Sequence, residues 1–252
     1  MSVVTGRATW LRDLTRATAG AMRLFCVPHA GAGSLAFRRW PASLGPDVKV
    51  TAVQLPGREE RIRESGYERL DLLVNDLVSV LAGALDQPYA FFGHSMGSLV
   101  VYEATRRIRE RALPPPAWLF CSGLAAPHLA GRDSKISELS DDEFQHAITR
   151  LNGFPADIAE KDHLMEMLLP GLRRDFRLYE DYVYIPGPPL DVPLTVFGGT
   201  EDGVARADLD RWRELSVGPF RLSMVPGDHY TMTQREELAQ AVRSDLSRLA
   251  DG

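Results

Sequence analysis

Cysteine is nearly absent: Cys26 and Cys121 are the only two in 252 residues. Both sit in apolar runs, which excludes a disulfide framework and a cysteine-built metal site and points to small core residues in a reducing compartment. Long apolar runs are missing as well. No stretch approaches the ~18 residues that a bilayer span requires. Arg7, Arg12, Asp13 and Arg16 interrupt the N-terminal region where a secretory leader would need an apolar segment. A cytoplasmic protein with no membrane association is therefore expected. Lysine is scarce, and the formal net charge is −5, so the basic face of a generic nucleic-acid binder is not expected either. Neither an internal repeat nor a low-complexity tract occurs.

What is present is the composition of an ordinary globular protein, 44% hydrophobic and 25% charged. The length suits one large α/β domain or two small ones. Short apolar runs at about 22–27 and 48–54, the run before Ser95, "AWLFCSG", "PLTVFGG" (193–199) and "FRLSMVPG" (220–227) read as strands. Between them lie helical patterns, such as Leu70, Leu73, Leu77, Leu81 and Leu85 in one amphipathic stretch. Short continuous apolar strands alternating with helices indicate a mostly parallel sheet covered on both faces.

Residues 1–21 are polar and weakly patterned and read as an N-terminal arm or short leading helix. From 127 to 189 the alternation stops. "SDDE" (Ser140 to Glu143) is a capping-box signal for a helix that Asn152–Gly153 would end. "DHLMEMLLPGLRRDFRLYEDY" predicts one or two further helices, broken at Pro170–Gly171. The expected organisation is an α/β core of 22–126 and 190–252, with 127–189 as a helical lid insertion over the C-terminal edge of the sheet.

The chemistry centres on "PYAFFGHSMGSLVVYE". A strand enters Gly93-x-Ser95-x-Gly97 and a helix leaves it, the arrangement of a nucleophile elbow, in which side chains at 93 and 97 would collide with the turn. A serine nucleophile needs a base, and the base needs an orienting carboxylate. His229, a few residues beyond the last strand in "VPGDHYTM", falls on the same sheet edge as Ser95. His94, inside the elbow, is given a packing role. Asp202, just beyond "FGG", is the favoured carboxylate because that turn can aim it at the imidazole Nδ1, with Glu201 and Asp228 as neighbouring alternatives. Ser95, Asp202 and His229 stand in the chain order of α/β-hydrolases. An oxyanion needs two backbone donors. The N–H of Met96, at the start of the following helix, and that of Ala30, in the small-residue loop "PHAGAG", are the candidates; His29 braces that loop or touches substrate.

Together, "FCVPHAGAGSLAFRRW", "VQLPGREERIRE", "FFGHSMGSLVVYE", "FGGTEDGV" and "GDHYTM" resemble the type II (editing) thioesterases of polyketide synthases and nonribosomal peptide synthetases. The resemblance spans almost all of the chain after residue 21. It implies an α/β-hydrolase fold with a helical lid, and hydrolysis of acyl thioesters on the phosphopantetheine arm of acyl or peptidyl carrier proteins. Ser95, Asp202 and His229 fall on that family's triad positions, and Ala30 and Met96 on its oxyanion-hole positions. No metal or organic cofactor is expected, since the phosphopantetheine arrives with the substrate. The chain departs from the pattern at Ala32, where a second consecutive glycine is common, and at Asp228, where glycine often precedes the histidine; a carboxylate there is expected to favour a protonated His229.

Met165, Leu168 and Leu169, with Leu164, Met167 and Leu172, are candidates for the wall of an acyl chamber. The arginines at 38, 39, 58, 61 and 63 are candidates for docking an acidic carrier protein. A monomer is expected. The competing readings are a general carboxylesterase or lipase with the same triad, an acyltransferase using a nucleophile other than water, and a non-catalytic binding module on a hydrolase scaffold.

Overall fold

The alternation of the apolar strands decides the layering. In the strand Met22–Val27 (β2), Phe25 and Val27 are buried on one side with Leu73, Leu77, Leu99 and Val100, while Leu24 and Cys26 are buried on the other with Trp40, Leu238 and Val242. Successive side chains of a strand point to opposite faces, so a strand that is apolar throughout needs cover on both. The structure, a computed structural model, describes residues 7–15, 21–130, 135–150 and 162–249.

Seven strands form one sheet. In addition to β2 they are Leu11–Asp13 (β1), Val48–Val53 (β3), Tyr89–His94 (β4), Trp118–Ser122 (β5), Leu194–Gly199 (β6) and Phe220–Val225 (β7). Their order is β1-β3-β2-β4-β5-β6-β7, parallel except for β1, which runs antiparallel to β3. The chain steps from β2 outward to β3 and then returns to place β4 on the other side of β2. The loops after β2 and β4 therefore diverge at a topological switch point, where open α/β sheets bind ligands beyond the carboxyl ends of their strands.

Leu70–Leu81 (α3) and Met96–Glu110 (α4) cover one face. Trp40–Leu44 (α2) and the final helix Glu236–Ser247 (α8) cover the other. In α3, Leu70, Leu73, Leu77 and Leu81 are all buried, as their spacing predicts. Each such side chain contributes about 1.5–3 kcal/mol on leaving water. Cys26 and Cys121 are free, fully buried thiols, and burial pushes their pKa values well up. No helix among the described residues is long and apolar enough to cross a membrane.

Two sequence expectations are corrected here. The N-terminal stretch carries more than an arm or a leading helix. A single helical turn, Arg7–Trp10 (α1), leads into β1, which adds an edge to the sheet. Trp10 is buried, with the Arg61 guanidinium 5.0 Å from its ring centroid. Three residues are too few to display an alternation.

The second correction concerns Pro170. Asp141–Arg150 (α5) begins with the expected capping box: the Glu143 carboxylate accepts the Ser140 N–H at 3.1 Å, and the Glu143 N–H donates to Ser140 Oγ at 3.4 Å. The proposed stop at Asn152–Gly153 lies outside the described residues. Asp162–Glu180 (α6), however, is one continuous helix through Pro170–Gly171. Proline in a helix interior removes a backbone donor at a cost of about 3 kcal/mol. Here Pro170 is exposed, while Met165, Leu169 and Leu172 pack inward on Phe144 and Ile148 of α5. Burial outweighs the local cost. One further helix, Arg206–Asp210 (α7), follows β6.

Candidate active site

β4 ends at His94 and α4 starts at Met96, leaving Ser95 at the junction with φ 54° and ψ −122°. A non-glycine residue at positive φ is strained and persists only where its surroundings enforce it. The enforcement is visible. A Cβ on Gly93 would stand 2.2 Å from the Gly97 carbonyl oxygen, and one on Gly97 would stand 2.2 Å from that of Val27. The Ser95 N–H donates to the Ser122 carbonyl at 2.7 Å, fixing the turn against β5. Only glycine fits on either side of the serine.

His229 Nε2 lies 2.9 Å from Ser95 Oγ, and His229 Nδ1 lies 2.9 Å from Asp202 Oδ2. The acceptor-only carboxylate selects the tautomer: Nδ1–H donates to Asp202, leaving Nε2 to accept the serine O–H. The carboxylate is buried and the imidazole partly open. Asp202 arrives in a turn after β6, its own N–H donating to Gly199 O at 3.3 Å. A Cβ on Gly199 would meet Gly227 O at 2.4 Å, so small residues let the ends of β6 and β7 close in and bring Asp202 beside His229.

Neither alternative carboxylate takes that place. Glu201 is exposed. Asp228 Oδ1 accepts from Tyr230 N–H at 3.0 Å, Thr231 N–H at 2.8 Å and Thr231 O–H at 2.9 Å, folding back into its own turn. Burial alone would raise its pKa, but those hydrogen bonds bring the carboxyl below its ordinary value.

A cavity of about 550 Å³ opens over Ser95 and His229, with Ala30, Met96, Leu124, Phe176, Tyr179 and Val204 in its wall. Ala30 comes from the loop after β2 and Met96 from the first turn of α4, where the helix dipole favours negative charge. Both flank the switch point. The arrangement can move a proton from a serine hydroxyl to an imidazole beside a chamber of apolar and acidic side chains. Among the described residues, no three His, Cys, Asp or Glu side chains are grouped to hold a metal ion.

Comparison with known proteins shows the family of the chain. A family model described as "Thioesterase domain" matches residues 22–246. The gramicidin S biosynthesis protein GrsT of Aneurinibacillus migulanus is 35% identical over 91% of this chain and 90% of its own. The structure of RedJ, a thioesterase from the prodiginine biosynthetic pathway in Streptomyces coelicolor, superposes with a TM-score of 0.84 at 36% identity, covering 90% of this chain and 86% of RedJ. YbtT, a type II thioesterase from the yersiniabactin NRPS/PKS biosynthetic pathway, gives a TM-score of 0.83 at 30% identity over 95% of this chain and 97% of its own. The chain belongs to the type II thioesterases.

In this thioesterase the side chains expected to wall an acyl chamber lie elsewhere. Met165 and Leu169 face a different cavity beside Asp141 and Arg173, and Leu168 borders a third one beside Gly57 and Gly171. The helical period is the reason. The α6 face bearing residues 165, 169 and 172 packs on α5, and the turn bearing Asp175, Phe176 and Tyr179 is the one over Ser95. Apolarity alone points to 164–172, whereas the aromatic pair Phe176 and Tyr179 lines the cavity over Ser95.

His94 does more than pack. It is fully buried, and burial, followed by the neighbouring His229 and His29, pushes its pKa well down. The neutral ring bridges His229 and β5: Nε2–H donates to the His229 backbone carbonyl at 2.6 Å, and Nδ1 accepts from Ser122 O–H at 3.1 Å. Gly123 makes room for it, since a Cβ there would be 2.7 Å from His94 Cε1. His29 stacks edge-on between His94 and Tyr230, with ring centroids at 5.5 and 5.1 Å, and its pKa falls to about 3, chiefly through burial. It borders the Ser95 cavity.

Proposed function

We propose that this thioesterase hydrolyses acyl groups from the phosphopantetheine arm of acyl or peptidyl carrier proteins, clearing stalled or aberrant intermediates in polyketide or nonribosomal peptide biosynthesis. The observation that carries the chemistry is the hydrogen-bonded chain Ser95–His229–Asp202 opening onto a chamber walled in part by Leu124, Phe176, Tyr179 and Val204. The pathway context is carried over from relatives named for gramicidin S, prodiginine and yersiniabactin biosynthesis.

His229 Nε2 takes the Ser95 proton as Oγ attacks the thioester carbonyl, and the carbonyl electron pair moves onto oxygen. The N–H groups of Ala30 and Met96 receive that oxyanion, an interaction that grows as the charge develops. Collapse expels the thiolate, which takes the proton from His229 and leaves an acyl-serine. Water then attacks, His229 accepting its proton and returning it to Ser95 as the acid departs. Asp202 holds the ring and stabilises the imidazolium. Side chains, substrate and water supply every proton and electron pair, so the cycle calls on no metal or organic cofactor.

Of the arginines considered for carrier docking, Arg58 and Arg61 are buried and face inward, whereas Arg38, Arg39 and Arg63 are exposed. Only the exposed three are available to an acidic partner. The test is release of a radiolabelled acyl group from a loaded carrier protein. Ser95→Ala is expected to lower the rate by 10³-fold or more, on the order of the loss when a triad member is removed. Equal release by the variant would overturn the proposal.

A further inference from the structure

The "PGREER" stretch at 56–61 has no part in the Ser95–His229–Asp202 chain, yet both of its arginines are buried. Arg58 and Asp175 form an ion pair at 2.6 Å, Nη2 to Oδ1, with side chains 7% and 4% exposed. The second oxygen of Asp175, Oδ2, accepts the Gly31 N–H at 2.8 Å. The second amino group of Arg58, Nη1, donates to the Ala32 carbonyl at 3.2 Å. One residue of α6 and one from the loop after β3 thus grip the chain directly after Ala30.

We propose that Arg58 and Asp175 act as a latch that ties the seating of α6 to the position of the Ala30 amide, so that the oxyanion site is complete only while α6 is seated. The inference rests on the reading of Ala30 as an oxyanion donor. Peptide groups are planar, and only φ and ψ at each Cα are soft. Fixing the Gly31 N–H and the Ala32 carbonyl therefore sets the first and third peptide planes that follow Ala30, the one between them being held by the Ala32 N–H donating to the His29 carbonyl at 3.2 Å, and together these limit where the Ala30 N–H can point.

The far side of the same loop is anchored independently of α6. Gln54 Oε1 accepts the Ser34 N–H at 2.9 Å, and Glu59 accepts the Ser34 hydroxyl at 2.7 Å and the Leu35 N–H at 3.0 Å. The contacts that reach this loop from α6 fall on the stretch next to Ala30. There the contact is tight: Gly31 has φ +76°, and a Cβ on it would meet Leu172 Cδ1 of α6 at 2.7 Å. The turn of α6 that carries Asp175 also places Phe176 and Tyr179 in the chamber wall. An acyl group that displaces those rings would disturb the latch, coupling chamber occupancy to oxyanion stabilisation. Arg58 and Asp175 are positioning residues.

Removing one partner would strand a buried charge, so the test uses paired substitutions. Arg58→Met with Asp175→Leu deletes the latch. Arg58→Met with Asp175→Asn deletes both charges but keeps an acceptor for the Gly31 N–H. Two probes are read beside turnover of a small acyl-pantetheine thioester. A thioether trifluoromethyl ketone adds Ser95 Oγ to its carbonyl carbon, passes the serine proton to His229 and leaves an oxyanion. Its methyl ketone counterpart binds without forming that adduct.

The Met/Leu pair is expected to lower kcat roughly 10²-fold, the scale of an ångström-sized misplacement, and to weaken the trifluoromethyl ketone by the same factor. KM and methyl ketone binding should stay within about twofold, and the Met/Asn pair should recover roughly tenfold of the loss. Arg58→Lys, which keeps the charge but not the two-pronged reach, should show the same parallel loss at smaller amplitude, and it serves where the Met/Leu pair does not fold. A folded Met/Leu pair, or Arg58→Lys, with wild-type kcat and trifluoromethyl ketone affinity would overturn the latch, as would a rise in KM alone. If the wild-type protein binds both ketones alike, the oxyanion reading falls and the latch falls with it.

Discussion

His229 has to serve two partners with one ring, and its backbone is held while it does so. Asp202 fixes Nδ1 and Ser95 meets Nε2, while the neutral His94 grips the His229 carbonyl. A protonated His94 could not accept from Ser122, and burial keeps His94 and His29 uncharged. This has a consequence for stability. The folded pKa of His94 lies well below 6.5 and that of His29 is about 3. Below pH 6.5 the unfolded chain binds protons at these two residues and the folded chain does not. Stability is therefore full above about pH 6.5 and falls with pH from there toward the folded values, by up to about 1.4 kcal/mol per pH unit for each histidine. Between pH 6.5 and 5 ordinary carboxylates stay ionised in both states. Denaturant unfolding of wild type and His29→Phe across that window should show the variant's slope smaller by close to one proton. Equal slopes would contradict the assignment. Ser95 and His229 were legible as residues because each follows a strand end at a telling distance. The His94–His229 bond was not, because its partners lie 135 positions apart and the donor meets a backbone carbonyl.

Among the elements, α6 departs furthest from what its residues suggest locally. A Pro-Gly pair signals a break, yet the helix continues because its inner face is buried on α5 and its Asp175 is tied to Arg58. Pro170→Ala restores a backbone donor worth about 3 kcal/mol in propensity and gives back up to about 1 kcal/mol through a looser unfolded chain. A net gain of about 2 kcal/mol is expected, seen as a thermal midpoint higher by several degrees. A lower midpoint would show that Pro170 supports the helix. The strands of the core were legible because each is apolar throughout and bounded by turns. β1 was not, because it exists only through pairing with β3, a partner that lies far along the chain.

At the scale of the molecule, one sheet order does the assembling. The reversal between β2 and β4 opens the crevice that Ala30 and Ser95 both line, and the adjacent ends of β6 and β7 deliver Asp202 and His229 to its edge. A parallel sheet with these connections could be inferred from alternating apolar runs and helices. The chamber above it could not, because its wall comes from the phase of α6 and not from that helix's composition.

The central claim is that Ser95 carries the acyl group covalently between thioester and water. Intact-mass analysis of the protein, quenched during turnover of an acyl-loaded carrier protein, tests it directly. A mass increase equal to the acyl group, located on the peptide containing Ser95 and missing from Ser95→Ala, is the predicted result. Turnover with no adduct on wild-type protein, or an adduct of the same yield on Ser95→Ala, would contradict it.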